Sequence, residues 1–181
     1  IAQKINQVPF FIANGLGQGI MPLISYNYAS DNIPRMKHTL TFAARLAVSG
    51  LVVVSVLYSI FADNLVAMFM NNPEIVEMGA KLLRGFCLAL PFLCMDFLAV
   101  GVFQASGLGR NALVFAILRK IVLEIPALFI LNHFFPLYGL SYAQFVAELV
   151  LAVAAVVILA RLFRRLETEK AQREAEKAAR Q

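Results

Sequence analysis

Five stretches of about twenty mostly apolar residues constrain this chain more than any other feature. They cover residues 5–28, 40–61, 79–103, 112–132 and 138–162. A helix of about twenty residues crosses the roughly 30 Å hydrocarbon core of a bilayer. No water reaches that core, so a spanning backbone must satisfy its own hydrogen bonds, which selects helices for segments this long. The breaks between them are turn-formers: Asp31-Asn32-Ile33-Pro34, Asn71-Asn72-Pro73-Glu74, Ser106-Gly107-Leu108-Gly109 and Phe135-Pro136-Leu137-Tyr138-Gly139. No long linker separates any pair. The pattern predicts an all-α, polytopic transmembrane bundle of five helices over residues 1–165, with a charged tail at 166–181.

Composition excludes the soluble alternatives. Hydrophobic residues make up 60% of the chain and charged residues 15%, against about 45–50% and 25% in soluble domains. Disorder, a soluble nucleic-acid-binding domain and a disulfide-stapled secreted module are all incompatible with that balance. The net charge of +5 does not indicate nucleic acid, because seven of the sixteen basic residues lie in the last 21 positions. Cys87 and Cys94 are seven apart in a helical pattern, about 10 Å along the axis and too far for a disulfide. They read as packing residues.

Charge asymmetry orients the spans. Arg35 and Lys37 occupy the first loop, Arg110 the third, and Arg161, Arg164 and Arg165 open the tail. Asp63, Glu74 and Glu77 mark the second loop, with Lys81 and Arg84 nearby as the only contrary charges. Alternate loops are therefore basic, which predicts that they and the carboxyl terminus lie in the cytoplasm. Ile1 then falls outside, and at least one further helix is expected upstream. The tail reads as a solvated helical extension.

Polar residues inside the spans locate a candidate function. Gln3, Gln7, Asn14, Gln18 and Ser25 fall within a stripe about 60° wide on the first span. Such a stripe cannot face lipid, so it either bonds to another helix or lines an aqueous cavity. Gly15 and Gly19 lie on an adjacent face and predict a close helix approach there.

Asp96 sits near the middle of the third span. An aspartate at the bilayer centre costs about 2.5–3.5 kcal/mol on insertion scales, which makes function the default reading. Pro91 frees the carbonyl of Cys87 one turn away, a possible further oxygen for a hard cation such as sodium. Proton carriage and a purely structural aspartate stay open beside it. Glu124 and Glu148 are further mid-span acids. Lys120, four residues before Glu124, can neutralise it within the helix, whereas Glu148 has no basic neighbour at helical spacing. Arg119 and Lys120 are placed to snorkel toward the cytoplasmic face. His133 reads as interfacial. No nucleophile–base set, phosphate loop or Cys/His metal cluster appears, so an enzyme is not expected.

These residues, in this order, resemble the carboxyl-terminal lobe of the multidrug and toxic compound extrusion (MATE) family. The resemblance rests on Gly15-Leu16-Gly17-Gln18-Gly19-Ile20-Met21-Pro22 through Tyr28, on Phe103-Gln104-Ala105-Ser106-Gly107-Leu108-Gly109-Arg110, and on Leu118-Arg119-Lys120-Ile121-Val122-Leu123-Glu124-Ile125-Pro126. It covers residues 1–165 as helices eight to twelve of a two-lobe transporter, and implies that an amino-terminal lobe completes the protein.

The resemblance further implies antiport, with organic cationic and aromatic drugs leaving against inward sodium or protons and with no other cofactor. Asp96 would bind the coupling ion, as possible sodium ligand or proton carrier, with Glu124 and Glu148 contributing. Phe92 stands where the sodium-coupled branch has tyrosine. Gln7, Asn14, Gln18, Phe92, Met95, Phe103 and Gln104 would shape the substrate cavity, and Pro9, Pro22 and Pro91 would supply kinks. A lipid-linked saccharide flippase of the same superfamily and a non-transporting membrane subunit are the alternatives.

Overall fold

The computed structural model describes residues 1–134 and 139–179; the predicted turn at residues 135–138 lies outside them. Among the described residues, eight α-helices follow in order: α1 (Ala2–Gly19), α2 (Met21–Ala29), α3 (Ile33–Ile60), α4 (Ala62–Ala67), α5 (Pro73–Ala105), α6 (Gly109–Ile117), α7 (Ile125–Phe134) and α8 (Gly139–Ala179). A π-helical segment, Leu118–Glu124, joins α6 to α7.

The predicted turns are built by the residues that marked them. Asp31 adopts φ +54 and Gly107 φ +72, left-handed conformations that end a helix and admit the next. The Asn32 side chain then accepts from the Arg35 N–H at 3.2 Å, and Asn72 accepts from Glu74 at 3.0 Å. Each caps a helix whose first turn holds a proline, where the missing N–H is harmless.

Four helical runs are individually long and apolar enough to span a membrane: Ala2–Ala29, Ile33–Ile60, Pro73–Ala105 and Ser141–Ala179. The segment expected at 112–132 is also helical, but the π turns divide it. The chain is a multi-pass membrane protein. Helix α5 is its axis, with 67% of its apolar stretch buried against 22% for Ala2–Ala29, 22% for α3 and 33% for α8. Helices α1, α2, α3, α4, α6 and α8 pack against α5, whereas α7 packs on α8 and the π segment. Residues such as Phe11, Phe42, Val53, Phe129 and Val156 turn outward, the arrangement expected where lipid is the solvent.

Two apolar clusters line the axis. The larger gathers Ile24, Met36, Leu51, Leu98, Phe103, Phe115 and Leu151, and the smaller Ile5, Val66, Leu83, Phe86 and Leu90. Cys87 and Cys94 are buried and free.

The close approach between α1 and α5 is made by a different glycine from the predicted pair. Gly15 and Gly19 have open space where a Cβ would stand. A Cβ on Gly17 would lie 2.9 Å from the Phe97 carbonyl oxygen, and one on Gly101 would lie 2.7 Å from that of Gly17. Backbone meets backbone there, so neither helix can yield.

Two local expectations meet a further partner. The Cys87 carbonyl, freed by Pro91, accepts the Ser55 hydroxyl at 2.6 Å, so it is held by α3 and not left for an ion. Lys81 and Arg84, the contrary charges of the second loop, donate to Glu77 at 2.8 Å and Asp63 at 2.6 Å.

The tail continues α8 without a break to Ala179. Leu166 is buried, Lys37 faces Glu167 at 3.5 Å, and Lys170 donates to the Asp31 carbonyl at 2.9 Å.

Candidate functional site

A polar cavity of about 330 Å³ opens between α1, the π segment and α8. Its walls carry Gln3, Lys4, Asn6, Gln7 and Phe10 from α1, Arg119, Lys120 and Glu124 from the π segment, and Gln144 and Glu148 from α8.

The local winding aims the π-segment side chains. The Ile125 N–H donates to the Lys120 carbonyl, five residues back. Pro126, next in sequence, contributes no N–H, and its ring crowds the carbonyl one α-turn earlier. The wider π turn relieves that crowding and rotates the preceding residues relative to an α-helix. Arg119 and Lys120 do not snorkel to the membrane face as predicted; both reach acids on the cavity wall.

Arg119 Nη2 donates to Glu148 Oε1 at 2.7 Å. Glu148 is 2% exposed, and its Oε2 meets no donor. Asp96 on α5 lies behind it, 1% exposed. The two acids come from packed faces of α5 and α8: Phe92, one turn before Asp96, sets its ring 5.8 Å from that of Phe145, three residues before Glu148. Both Glu148 and Arg119 act electrostatically on Asp96. Neither Asp96 oxygen meets a donor from another side chain. The Arg119 guanidinium sits 5.3 Å from the centre of the Phe97 ring, whose edge contacts Phe10 at 5.2 Å.

The second charged pair is local. Lys120 Nζ donates to both Glu124 oxygens, at 2.6 and 2.7 Å, as the four-residue spacing predicts.

The predicted site residues therefore separate. Asp96 and Glu148 come together, and Gln7 and Glu124 share the cavity with Glu148. Asn14 and Gln18 lie further along α1, bonded to each other at 3.4 Å. Phe103 is buried in the core against Phe115, ring centres 6.0 Å apart, and does not line the cavity. Met95 is half-buried beside the same core and Gln104 is exposed.

Phe92 packs on Phe145 at 5.8 Å. Phe145 lines a second, largely apolar cavity of about 880 Å³ with Ser59, Arg84, Leu88 and Tyr142.

Sequence reasoning missed Asn6, Phe10 and Gln144, and missed Arg119 as the partner of Glu148. Asn6 was findable: Gln3, Asn6, Gln7 and Phe10 follow the i, i+3, i+4, i+7 spacing of one helix face. Its Oδ1 is buried and unpaired.

Among the described residues, no group of three or more His, Cys, Asp or Glu could hold a metal ion. The buried side-chain oxygens without a partner, among the described residues, are those of Asp96, Glu148, Asn6 and Ser106. Of these, Asp96 and Glu148 lie on the packed faces of α5 and α8 and interact electrostatically.

Comparison with known proteins identifies the family. The MatE family model matches residues 1–130. The chain is 35% identical over 172 residues to the multidrug export protein MepA of Staphylococcus saprophyticus, covering 95% of this chain and 38% of that protein. It is 36% identical over 172 residues to MepA of Staphylococcus haemolyticus, covering 94% and 37%. Among solved structures, the Vibrio cholerae MATE transporter VcmN in its bent form matches with TM-score 0.84 at 19% identity, covering 92% of this chain and 39% of that one. The inward-facing conformation of a multidrug resistance MATE family transporter matches with TM-score 0.87 at 17% identity, covering 92% and 39%. The chain spans less than two fifths of the length of these relatives.

Proposed function

The chain belongs to the MATE family of transporters, and from that premise we propose that it forms part of one lobe of a secondary antiporter exporting drugs. The transported class is organic cationic and aromatic compounds, exchanged for inward sodium ions or protons. The observation that carries this reading is the buried pair Asp96 and Glu148, with three carboxyl oxygens that meet no donor. Intramembrane acids are costly and typically mark ion or substrate pathways. Phe10 adds an aromatic ring to the cavity wall that carries Glu148, and such a face attracts a desolvated cation by about 2 kcal/mol or more. Glu124, answered by Lys120, shapes the field of the cavity and does not bind the ion.

Asn14 and Gln18 are polar groups on a membrane span outside this cavity, a placement that lipid disfavours. We assign their face to the aqueous cleft shared with a second lobe. Rocking of the two lobes about that cleft would alternate access, with the helix break at Ile20 and the prolines Pro9, Pro22 and Pro91 as bending points. The basic loops at Arg35, Arg110 and Arg161 support a cytoplasmic carboxyl terminus, and the location that goes with this reading is a bacterial inner membrane.

A lipid-linked saccharide flippase is the second reading, favoured by Lys4, Arg119 and Lys120 on the cavity wall. It is weakened because two of the three are already paired with acids.

The test is efflux of a fluorescent aromatic cation from vesicles containing the full-length protein, under separately imposed sodium and proton gradients. Asp96→Asn and Glu148→Gln should each lower gradient-driven efflux at least tenfold at equal membrane abundance. The gradient that drives the native protein names the ion. Undiminished efflux in both variants would move coupling to the other lobe. No efflux from any form, with translocation of a lipid-linked saccharide, would establish the second reading.

A further inference from the structure

The buried cluster holds two acids and one base. Asp96 and Glu148 bring two formal negative charges, and Arg119 brings one positive charge, bonded to Glu148 alone at 2.7 Å. Lys120 is committed to Glu124 on its own helix turn, and Lys4 is exposed at the cavity wall, where water screens it. With both acids ionised, the cluster is therefore one positive charge short of neutrality, a charge that a proton or a small cation can supply. Its unpaired atoms, both Asp96 oxygens and Glu148 Oε2, are the hard-oxygen donors that a small cation takes.

We propose that Arg119 sets the charge of this pair, so that it accepts a single positive charge and rejects divalent cations. This rests on the reading of Asp96 and Glu148 as the ion site and goes beyond it by assigning selectivity to a residue outside the acid pair. Burial makes the count decisive. An unbalanced charge in a low-dielectric interior costs several kcal/mol, so a divalent ion beside Arg119 would leave an excess positive charge that water cannot screen. Arg119 suits the task because a guanidinium stays charged in proteins. Its position against the Phe97 ring holds it beside Glu148 without occupying the free oxygens.

The experiment is equilibrium binding of ²²Na⁺ and ⁴⁵Ca²⁺ to the purified full-length protein and its variants, each checked for an unchanged size-exclusion profile. Arg119→Gln keeps a donor for Glu148 but removes the charge. It should bind ⁴⁵Ca²⁺ at least tenfold more tightly than the native protein, and adding Asp96→Asn should abolish that gain. Glu148→Gln leaves one acid and one base and should lose ²²Na⁺ binding. Combining it with Arg119→Gln should restore that binding, because one acid then stands alone.

A folded Arg119→Gln protein with no gain in ⁴⁵Ca²⁺ binding overturns the proposal. So does a double variant that stays as inert as Glu148→Gln when the native protein binds sodium. A native protein that binds no ²²Na⁺, beside an Arg119→Gln form that gains ⁴⁵Ca²⁺, upholds the charge assignment and overturns sodium coupling.

Discussion

Arg119 and Lys120 are neighbours in sequence, both lie on the π segment, and both reach a glutamate on the same cavity wall. The two pairs they form differ in kind. Lys120 answers Glu124 four residues on, with the lysine side chain 69% exposed and the glutamate 33%. Arg119 answers Glu148 on a different helix, at 20% and 2%. The first pair neutralises a charge within one helix turn and joins nothing else. The second links the π segment to α8 and brings its acid against Asp96 on α5, so three elements depend on it. A charged pair in a membrane bundle thus organises structure when its partners come from separate helices and water is excluded.

Breaking the buried pair should have the largest effect on stability. Arg119→Leu removes both charge and donor and leaves Glu148 beside Asp96 with no counter-ion. The loss should be about 3–5 kcal/mol, the usual cost of orphaning one member of a buried pair. Thermal unfolding of the purified full-length protein, followed by loss of the monodisperse size-exclusion peak, would show it. A midpoint within a degree or two of native would mean that the pair is far wetter than its 2% exposed glutamate indicates.

The floor of the same site rests on the contact between α1 and α5, which Gly17→Leu should force apart. The nearest atoms to the new Cβ belong to the Phe97 backbone, at 2.9 Å and 3.1 Å, so no side chain can move aside. Overpacking of this kind costs about 1–3 kcal/mol. Because Phe97 also carries Arg119 on its ring, efflux should fall along with stability. Gly15→Ala and Gly19→Ala meet open space and should be neutral or slightly stabilising, by up to about 1 kcal/mol from helix propensity. If Gly15→Ala proved as damaging as Gly17→Leu, the α1–α5 contact described here would be wrong.

The glycines also mark how far the sequence could be read. Span positions, turn residues, the Lys120–Glu124 pair and the carbonyl freed by Pro91 all depend on neighbours within a turn of helix, and each was legible from spacing alone. Which face of α1 meets α5 depends on how two helices pack, and spacing offered Gly15 and Gly19 as readily as Gly17. The partner of Glu148 lies 29 residues away and is aimed by a π turn that hydropathy does not register. Phe103 was expected in a cavity through the family resemblance. At 1% exposure against Phe115, it belongs to the core because α6 folds back over it. In a chain this apolar, nearly every face of α5 is hydrophobic, so the pattern cannot say which faces meet protein and which line a cavity.

The smallest effect should come from the local pair. Lys120→Ala removes a bond whose acid partner is 33% exposed at the cavity, and such i,i+4 pairs are worth about 0.3–0.5 kcal/mol. Thermal stability should therefore barely move. Drug efflux should also hold, because Glu124 freed of its lysine can be solvated in place and does not touch Asp96. Repeating the unfolding measurement at low and high salt sharpens the contrast with Arg119, since screening weakens an exposed pair and leaves a buried one largely intact. Salt should erase the small difference between native and Lys120→Ala while leaving the Arg119→Leu deficit unchanged. A Lys120→Ala loss as large as that of Arg119→Leu would mean that exposure of the side chains does not separate the two pairs, and that the π segment acts as one charged unit.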